Sequence, residues 1–291
     1  MLNTLLPVTG PVMVCVLIGF LWIKFNWPYD TDMITRLVMC IGAPCLIVSA
    51  LTQSDISHSI LQEMFWVTLS VIASSLLAAA LLIRLAGQPL RTFLGPLVFP
   101  NAGNMGLPVC LFAFGERGLV LALAVFMVLS LLHFTLGIAL VSGRSVLREL
   151  VSNPIIYSIA VAIFMLYTDY RLPLWAQNTV NLLGDMTIPL MLLTLGVSLA
   201  TLKIQNLGKS LYFALTRLGI GVAAGWGMAE LFNLQGVARG VLILQSAMPV
   251  AVFNYLFALR YEREPQVVAG MVMISTLLSF VTIPVLILYV I

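Results

Sequence analysis

Apolar residues in this chain fall in long runs separated by short polar breaks. The pattern shows neither the alternation of a half-buried strand nor the narrow stripe of a surface helix. Breaks in hydropathy divide it into ten segments, about 4–23, 33–53, 64–86, 92–114, 118–141, 153–168, 176–200, 209–231, 237–259 and 266–290. Most reach the roughly 20 residues with which a helix crosses a bilayer. The pattern predicts an all-α integral membrane chain of ten transmembrane helices, with short loops and no soluble domain. The longest polar gap, 142–152, carries Arg144, Arg148 and Glu149.

Helix breakers interrupt these runs in a repeated way. Span 2 contains Gly42-Ala43-Pro44 and span 7 contains Thr187-Ile188-Pro189. Span 4 contains Leu107-Pro108 and span 9 contains Met248-Pro249, at offsets of 145 and 141 residues between the paired prolines. Five spans is an odd number, so the second half must enter from the opposite face. The expectation is a five-plus-five inverted repeat, 1–145 and 146–291, an architecture typical of secondary transporters. Pro44 and Pro189 read as kinks or packing features. Span 4 goes further, because Pro100, Asn101, Gly103, Asn104, Gly106 and Pro108 lie within ten residues, 99–108. Proline removes a backbone hydrogen bond and clashes with the preceding turn. Backbone groups freed inside a membrane must be satisfied by protein or by a water-lined cavity. Two half-helices with an unwound join are therefore expected, the second starting near Met105–Pro108. Gln245 to Pro249, followed by Asn254, is the partner break in span 9. Half-helix N-termini that face each other favour an anion between them. The candidate substrate-binding residues are Asn101, Asn104, Met105, Gly106, Pro108, Gln245, Ser246, Pro249 and Asn254. The amides among them offer neutral donors and acceptors without a full charge in lipid.

Composition narrows the class. Of 291 residues 61% are hydrophobic and 9% charged, with a mean hydropathy of +1.09. Soluble domains carry about 25% charged residues, so a water-facing globule and a disordered chain are excluded. Fourteen Lys+Arg against 11 Asp+Glu leave a net charge of +3 with no basic cluster, which excludes a nucleic-acid partner. Loops after odd-numbered spans hold ten basic residues, among them Lys24, Arg36, Lys203 and Arg260, and loops after even-numbered spans hold three, Arg117, Arg171 and Arg239. Cytoplasmic loops collect Lys and Arg, so both termini are expected on the extracytoplasmic side. The first basic residue, Lys24, follows the first apolar run, which reads as a retained span and not as a cleavable signal. Cys15, Cys40, Cys45 and Cys110 lack CxxC spacing and read as apolar packing, with no metal site.

Ionisable residues inside spans are functional candidates. Asp185, one turn before Pro189, and His133, on the face of Ser130, are coupling candidates, set against a structural reading of each: an ion pair with a basic residue for Asp185 and a satisfied helix-contact histidine for His133. Arg217 lies in the cytoplasmic half of span 8, where it can snorkel or attract substrate. Glu230 and Arg239 read as solvated. Enzyme patterns fail. Asp30 and Asp185 do not complete the two-aspartate pattern of an intramembrane protease, Gly196-Val197-Ser198 reads as helix packing, and no phosphate-cradling loop occurs. No cofactor is implied. Proton coupling is preferred over sodium, since no all-oxygen cage can be assembled from the sequence.

The run Phe99-Pro100-Asn101 through Gly106-Leu107-Pro108 resembles the fourth-span signature of the auxin efflux carrier family. Similar stretches are Asn153-Pro154, Ile188-Pro189 with Leu195-Gly196, Ala247-Met248-Pro249, and Ser279 to Pro284. The resemblance implies a fold shared with bile acid:sodium symporters, with spans 1, 2, 6 and 7 as scaffold and spans 3–5 and 8–10 as transport domain. It implies crossing of spans 4 and 9, homodimerisation through the scaffold, elevator-type motion, and small organic anions such as auxin, malate or malonate as substrates. Contact with the substrate carboxylate falls on Asn101, and the crossover prolines fall on Pro108 and Pro249. The short loop after span 5, and the lack of an acid within span 3 beyond Glu63 at its edge, point to a bacterial-type permease of the plasma membrane. The alternative is a membrane receptor that keeps the carrier fold and binds ligand without flux.

Overall fold

The computed structural model describes residues 2–53, 56–142, 154–168 and 170–290. The loop basic residues Arg144 and Arg148, with Glu149 and Asn153, lie outside them. Every regular element among the described residues is helical. The helices are α1 (Leu2–Lys24), α2 (Thr31–Leu37), α3 (Ala43–Thr52), α4 (His58–Leu85), α5 (Leu90–Val98), α6 (Leu107–Leu132) and α7 (Ile138–Ser142). After the undescribed loop come α8 (Pro154–Thr168), α9 (Leu174–Asp185), α10 (Thr187–Thr201), α11 (Leu207–Leu231), α12 (Gly236–Ser246), α13 (Val252–Arg260) and α14 (Pro265–Val290). Among the described residues six helical segments are long and apolar enough to cross a membrane: Leu5–Lys24, Thr31–Thr52, His58–Leu85, Ala102–Ser142, Leu174–Thr201 and Pro265–Val290. The shorter α5 and α12 each end where an unwound stretch begins.

The interruptions follow from local chemistry. π turns at Val38–Gly42 and Ala102–Gly106 each lead into a helix whose second residue is proline, Pro44 in α3 and Pro108 in α6. Proline is tolerated in the first turn of a helix, and a π turn relaxes the contact with the carbonyl four residues earlier. Phe99 precedes Pro100 and is extended, φ −94° and ψ 109°, as a pre-proline residue prefers. Within α6 the chain turns at Gly115, φ 66° and ψ −159°, a region that only glycine enters without strain. Asp30 caps α2 by accepting from the Met33 N–H at 2.9 Å.

Packing falls into two clusters. In the first, α1 lies along α10, and α3 is flanked by α8 and α9. The α1–α10 approach runs through glycines: a Cβ on Gly19 would overlap the Leu193 backbone, and one on Gly196 the Val16 backbone. In the second, α11 packs on α4, α5, α12 and α14, and α6 packs on α4 and α12. Stacked Phe93 and Phe213 rings, 4.1 Å between centroids, tie α5 to α11. The clusters meet where α6 touches α1, α3 and α8, where α14 touches α1, and where α10 meets the π turn Ala102–Gly106.

Candidate functional site: the crossing of two unwound stretches

The stretches that follow α5 and α12 cross as a single antiparallel bridge between Pro100 and Val250. The Asn101 N–H donates to the Pro249 carbonyl at 2.7 Å, and the Ala251 N–H to the Phe99 carbonyl at 3.3 Å. The Val250 N–H donates to Ser275 Oγ at 3.0 Å. Each broken helix therefore satisfies part of the other's freed backbone, and α14 contributes a hydroxyl.

Side chains complete the frame. Asn254, buried at the start of α13, donates through Nδ2 to the Phe99 carbonyl at 3.2 Å. Its Oδ1 lies 3.0 Å from His133 Nε2. An amide oxygen carries no proton, so the ring donates from Nε2. The imidazole also stacks on Phe99, 4.5 Å between centroids and 13° between planes. His133 is the first residue of the π turn His133–Gly137 and is buried.

Beside the bridge lies a cavity of about 40 Å³ lined by Phe99, Asn101, Asn104, Ser130, His133 and Phe253, among others. One water needs at least about 10–15 Å³ of such space, so this pocket holds a few waters. Asn101 is 4% exposed, and its Nδ2 has no hydrogen-bond partner. An unpaired buried amide nitrogen is costly. The residue lies in the wall of a cavity at a crossing of unwound backbone. A second cavity, of about 300 Å³, shares Met39, Asn104, Met191 and Phe253 with the first and extends to Thr31, Asp32 and Leu259. These four residues place it next to the cavity at the crossing.

A family model described as membrane transport protein matches residues 8–145 and 138–287. The chain belongs to this family, that of the auxin efflux carriers. It is 25% identical to an uncharacterized transporter of Methanocaldococcus jannaschii, over 94% of each chain. It is 24% identical to one of Methanothermobacter thermautotrophicus over the same shares. It is 28% identical to auxin efflux carrier component 2 of Oryza sativa subsp. japonica, over 49% of this chain and 23% of that protein.

In this carrier-family chain the residues singled out by sequence are distributed unevenly. Asn101 and Asn104 line the crossing cavity with His133. Met105 is buried and turned to α14, where Ser279 Oγ lies 3.5 Å from its Sδ. At Gly106 an added Cβ would overlap the Gln245 side-chain amide. Gln245 is fully buried, and neither Oε1 nor Nε2 has a partner. Pro108 is buried in the first turn of α6. Ser246 and Pro249 act through their carbonyls. Asp185 is exposed and stands apart from the crossing, at the end of α9. With Glu116 and Arg117 it lines a separate cavity of about 900 Å³ near Ser57.

Arg217 corrects its sequence reading. It does not snorkel: it is 1% exposed. Its Nη1 donates to the carbonyls of Leu97 at 2.9 Å and Val98 at 3.3 Å. Its Nη2 donates to those of Ser246 at 2.6 Å and Met248 at 3.3 Å. An arginine inside an apolar span was a visible signal, but its backbone partners were not. Sequence reasoning also passed over Ser275, which serves the bridge, and Tyr29, whose hydroxyl pairs with Thr194 Oγ1 at 2.7 Å. Thr194 lines the 300 Å³ cavity.

Proposed function

We propose that the chain is a secondary active transporter of small organic anions, either an auxin-like monocarboxylate or a dicarboxylate such as malate or malonate. The observation that carries this reading is the unpartnered Asn101 Nδ2 beside the crossing cavity. A carboxylate oxygen is the acceptor that such a donor lacks. Asn104, half-buried at the junction of the two cavities, is the second contact. Met105, Gly106, Pro108, Gln245, Ser246, Pro249 and Asn254 form the frame that holds the crossing.

The transport reading includes ten spans in a five-plus-five inverted repeat, 1–145 and 146–291. The α1–α10 and α3–α8–α9 cluster corresponds to a scaffold of spans 1, 2, 6 and 7, and the cluster around α4, α6 and α11 to a transport domain. The division into two packed clusters supports an elevator-type displacement of one against the other. With both termini outside, the 300 Å³ cavity opens toward the cytoplasm and this conformation faces inward. The protein works in a plasma membrane of bacterial type, as a homodimer through the scaffold. Proton coupling is preferred to sodium. His133, at the crossing, is the nearer coupling group, and Asp185, in the opposite vestibule, is the other candidate.

Uptake of labelled malonate, malate and indole-3-acetate into proteoliposomes, with and without a pH gradient, tests the reading. The expected outcome is flux of at least one anion that falls at least about tenfold in the Asn101→Ala variant, the loss of one charge-assisted hydrogen bond. Wild-type rate and affinity in that variant would remove Asn101 from the site. Ligand binding without flux would favour a receptor.

A further inference from the structure

We propose that Arg217 is a built-in cation that takes the place of one from solution. It sits where the C-terminal ends of the two broken helices converge, and it locks those ends together. The statement about coupling rests on the carrier reading; the statement about locking does not.

The last residues of α5 and α12 bring the carbonyls of Leu97, Val98 and Ser246 to one point, and Met248 in the unwound stretch adds a fourth. A helix C-terminus leaves carbonyls without intrahelical partners and carries about half a negative charge. Two such ends together present about one negative charge in a region without water. A guanidinium supplies one positive charge and donors on two edges. One edge serves α5 and the other α12, so a single side chain joins both breaks. Arg217 belongs to neither described ion pair, Lys209–Glu264 or Arg239–Glu230. Its charge is answered by backbone dipoles.

The surroundings say what the place would hold if the side chain were absent. A residual void of about 10 Å³ beside Arg217 and Ser246 is lined by the hydroxyl residues Thr68 and Ser75 and otherwise by apolar residues such as Val71, Ile72, Val125 and Leu129. Carbonyls at half-helix ends, with hydroxyls nearby, are an oxygen set suited to a small monovalent cation. In this chain the cation is covalently attached. It cannot load or leave, so no sodium ion is needed at the crossing during transport. Shortening the side chain should convert the place into a binding site for an added cation, with guanidinium the closest in shape.

Thermal unfolding of the purified protein tests the locking without any substrate. Wild type should unfold at the same temperature in sodium chloride and choline chloride. The Arg217→Met variant should unfold at least about 5 °C lower, and Arg217→Lys, which keeps a charge, should lose clearly less. In the Arg217→Ala variant, millimolar guanidinium should recover part of the loss while leaving wild type unmoved. Equal behaviour of the Met and Lys variants, including loss of both on purification, overturns the proposal. So does a guanidinium effect of the same size in wild type. If the Ala variant cannot be purified, the Met and Lys comparison decides. In proteoliposomes, wild-type flux should be equal in sodium and choline media, and a sodium requirement overturns the coupling half. Absence of flux for every anion, with the variants unfolding as stated, supports the lock and counts against the carrier reading.

Discussion

Three buried amides stand at or beside the crossing, and their hydrogen bonds separate their roles. Asn254 is used at both ends, on Phe99 and His133. Asn101 donates from its backbone, while its side-chain Nδ2 is unpartnered beside a cavity. Gln245 has neither atom paired and presses on Gly106. Only Asn101 combines an unmet donor with a place in the lining of the crossing cavity. At the same scale, Tyr29 makes a pH prediction. It lies in the loop between α1 and α2. Burial pushes its hydroxyl above the usual value of 10.0, and the Thr194 hydrogen bond pulls the other way but is the smaller effect. A group whose pKa is higher when folded holds its proton more tightly in the native state. Its contribution is complete below pH 10 and is lost as pH climbs through the raised value. Wild type should therefore lose unfolding temperature above about pH 10 more steeply than the Tyr29→Phe variant, and the two should run parallel at neutral pH. A variant that declines as steeply as wild type would mean that the loop tyrosine does not titrate against the fold.

At the scale of elements, the cost of an interruption is set by what receives the freed groups. The breaker density at 99–108 was enough to place an unwound join in span 4, because Pro100 forces Phe99 out of the helical region. The start of the next helix was legible to within a turn. The expected Met105–Pro108 compares with a helix beginning at Leu107, the preceding five residues forming a π turn. The π turn itself was not legible, since it depends on how Pro108 meets the turn before it. Arg217 shows the deeper limit. Its polarity was plain, but its partners are carbonyls up to 120 residues away, and no side-chain pattern encodes a backbone oxygen. The α1–α10 pair was partly legible as small-residue packing at Gly196. Here the Gly196→Val variant is expected to destabilise by about 1–3 kcal/mol or more, because a branched side chain must enter the space of the Val16 backbone. Thermal unfolding with wild type alongside checks it. An unchanged midpoint would mean that α1 and α10 separate freely.

For the whole molecule, two cavities of unequal size open at opposite ends of the interrupted helix formed by α2 and α3. One is lined by Thr31, Thr35 and Ser198, and the other by Ser49, Gln53 and Ser57. Hydropathy cannot distinguish the two ends, but loop charge can. Lys24, Arg36, Lys203 and Arg260 cluster near the first mouth in sequence, whereas Arg117 lies at the second. Under the proposed orientation, with both termini outside, the positive-inside bias puts the first mouth at the cytoplasm. That assignment is open to a direct check in a background lacking Cys15, Cys40, Cys45 and Cys110. In intact cells a membrane-impermeant maleimide should label the Ser57→Cys variant and leave Thr35→Cys unlabelled until the cells are permeabilised. The reverse pattern would invert the orientation and make the observed conformation outward-facing. Labelling of both variants from one side would mean that the α2–α3 helix does not carry its ends to opposite faces, and the cavities at those ends would then not belong to two compartments.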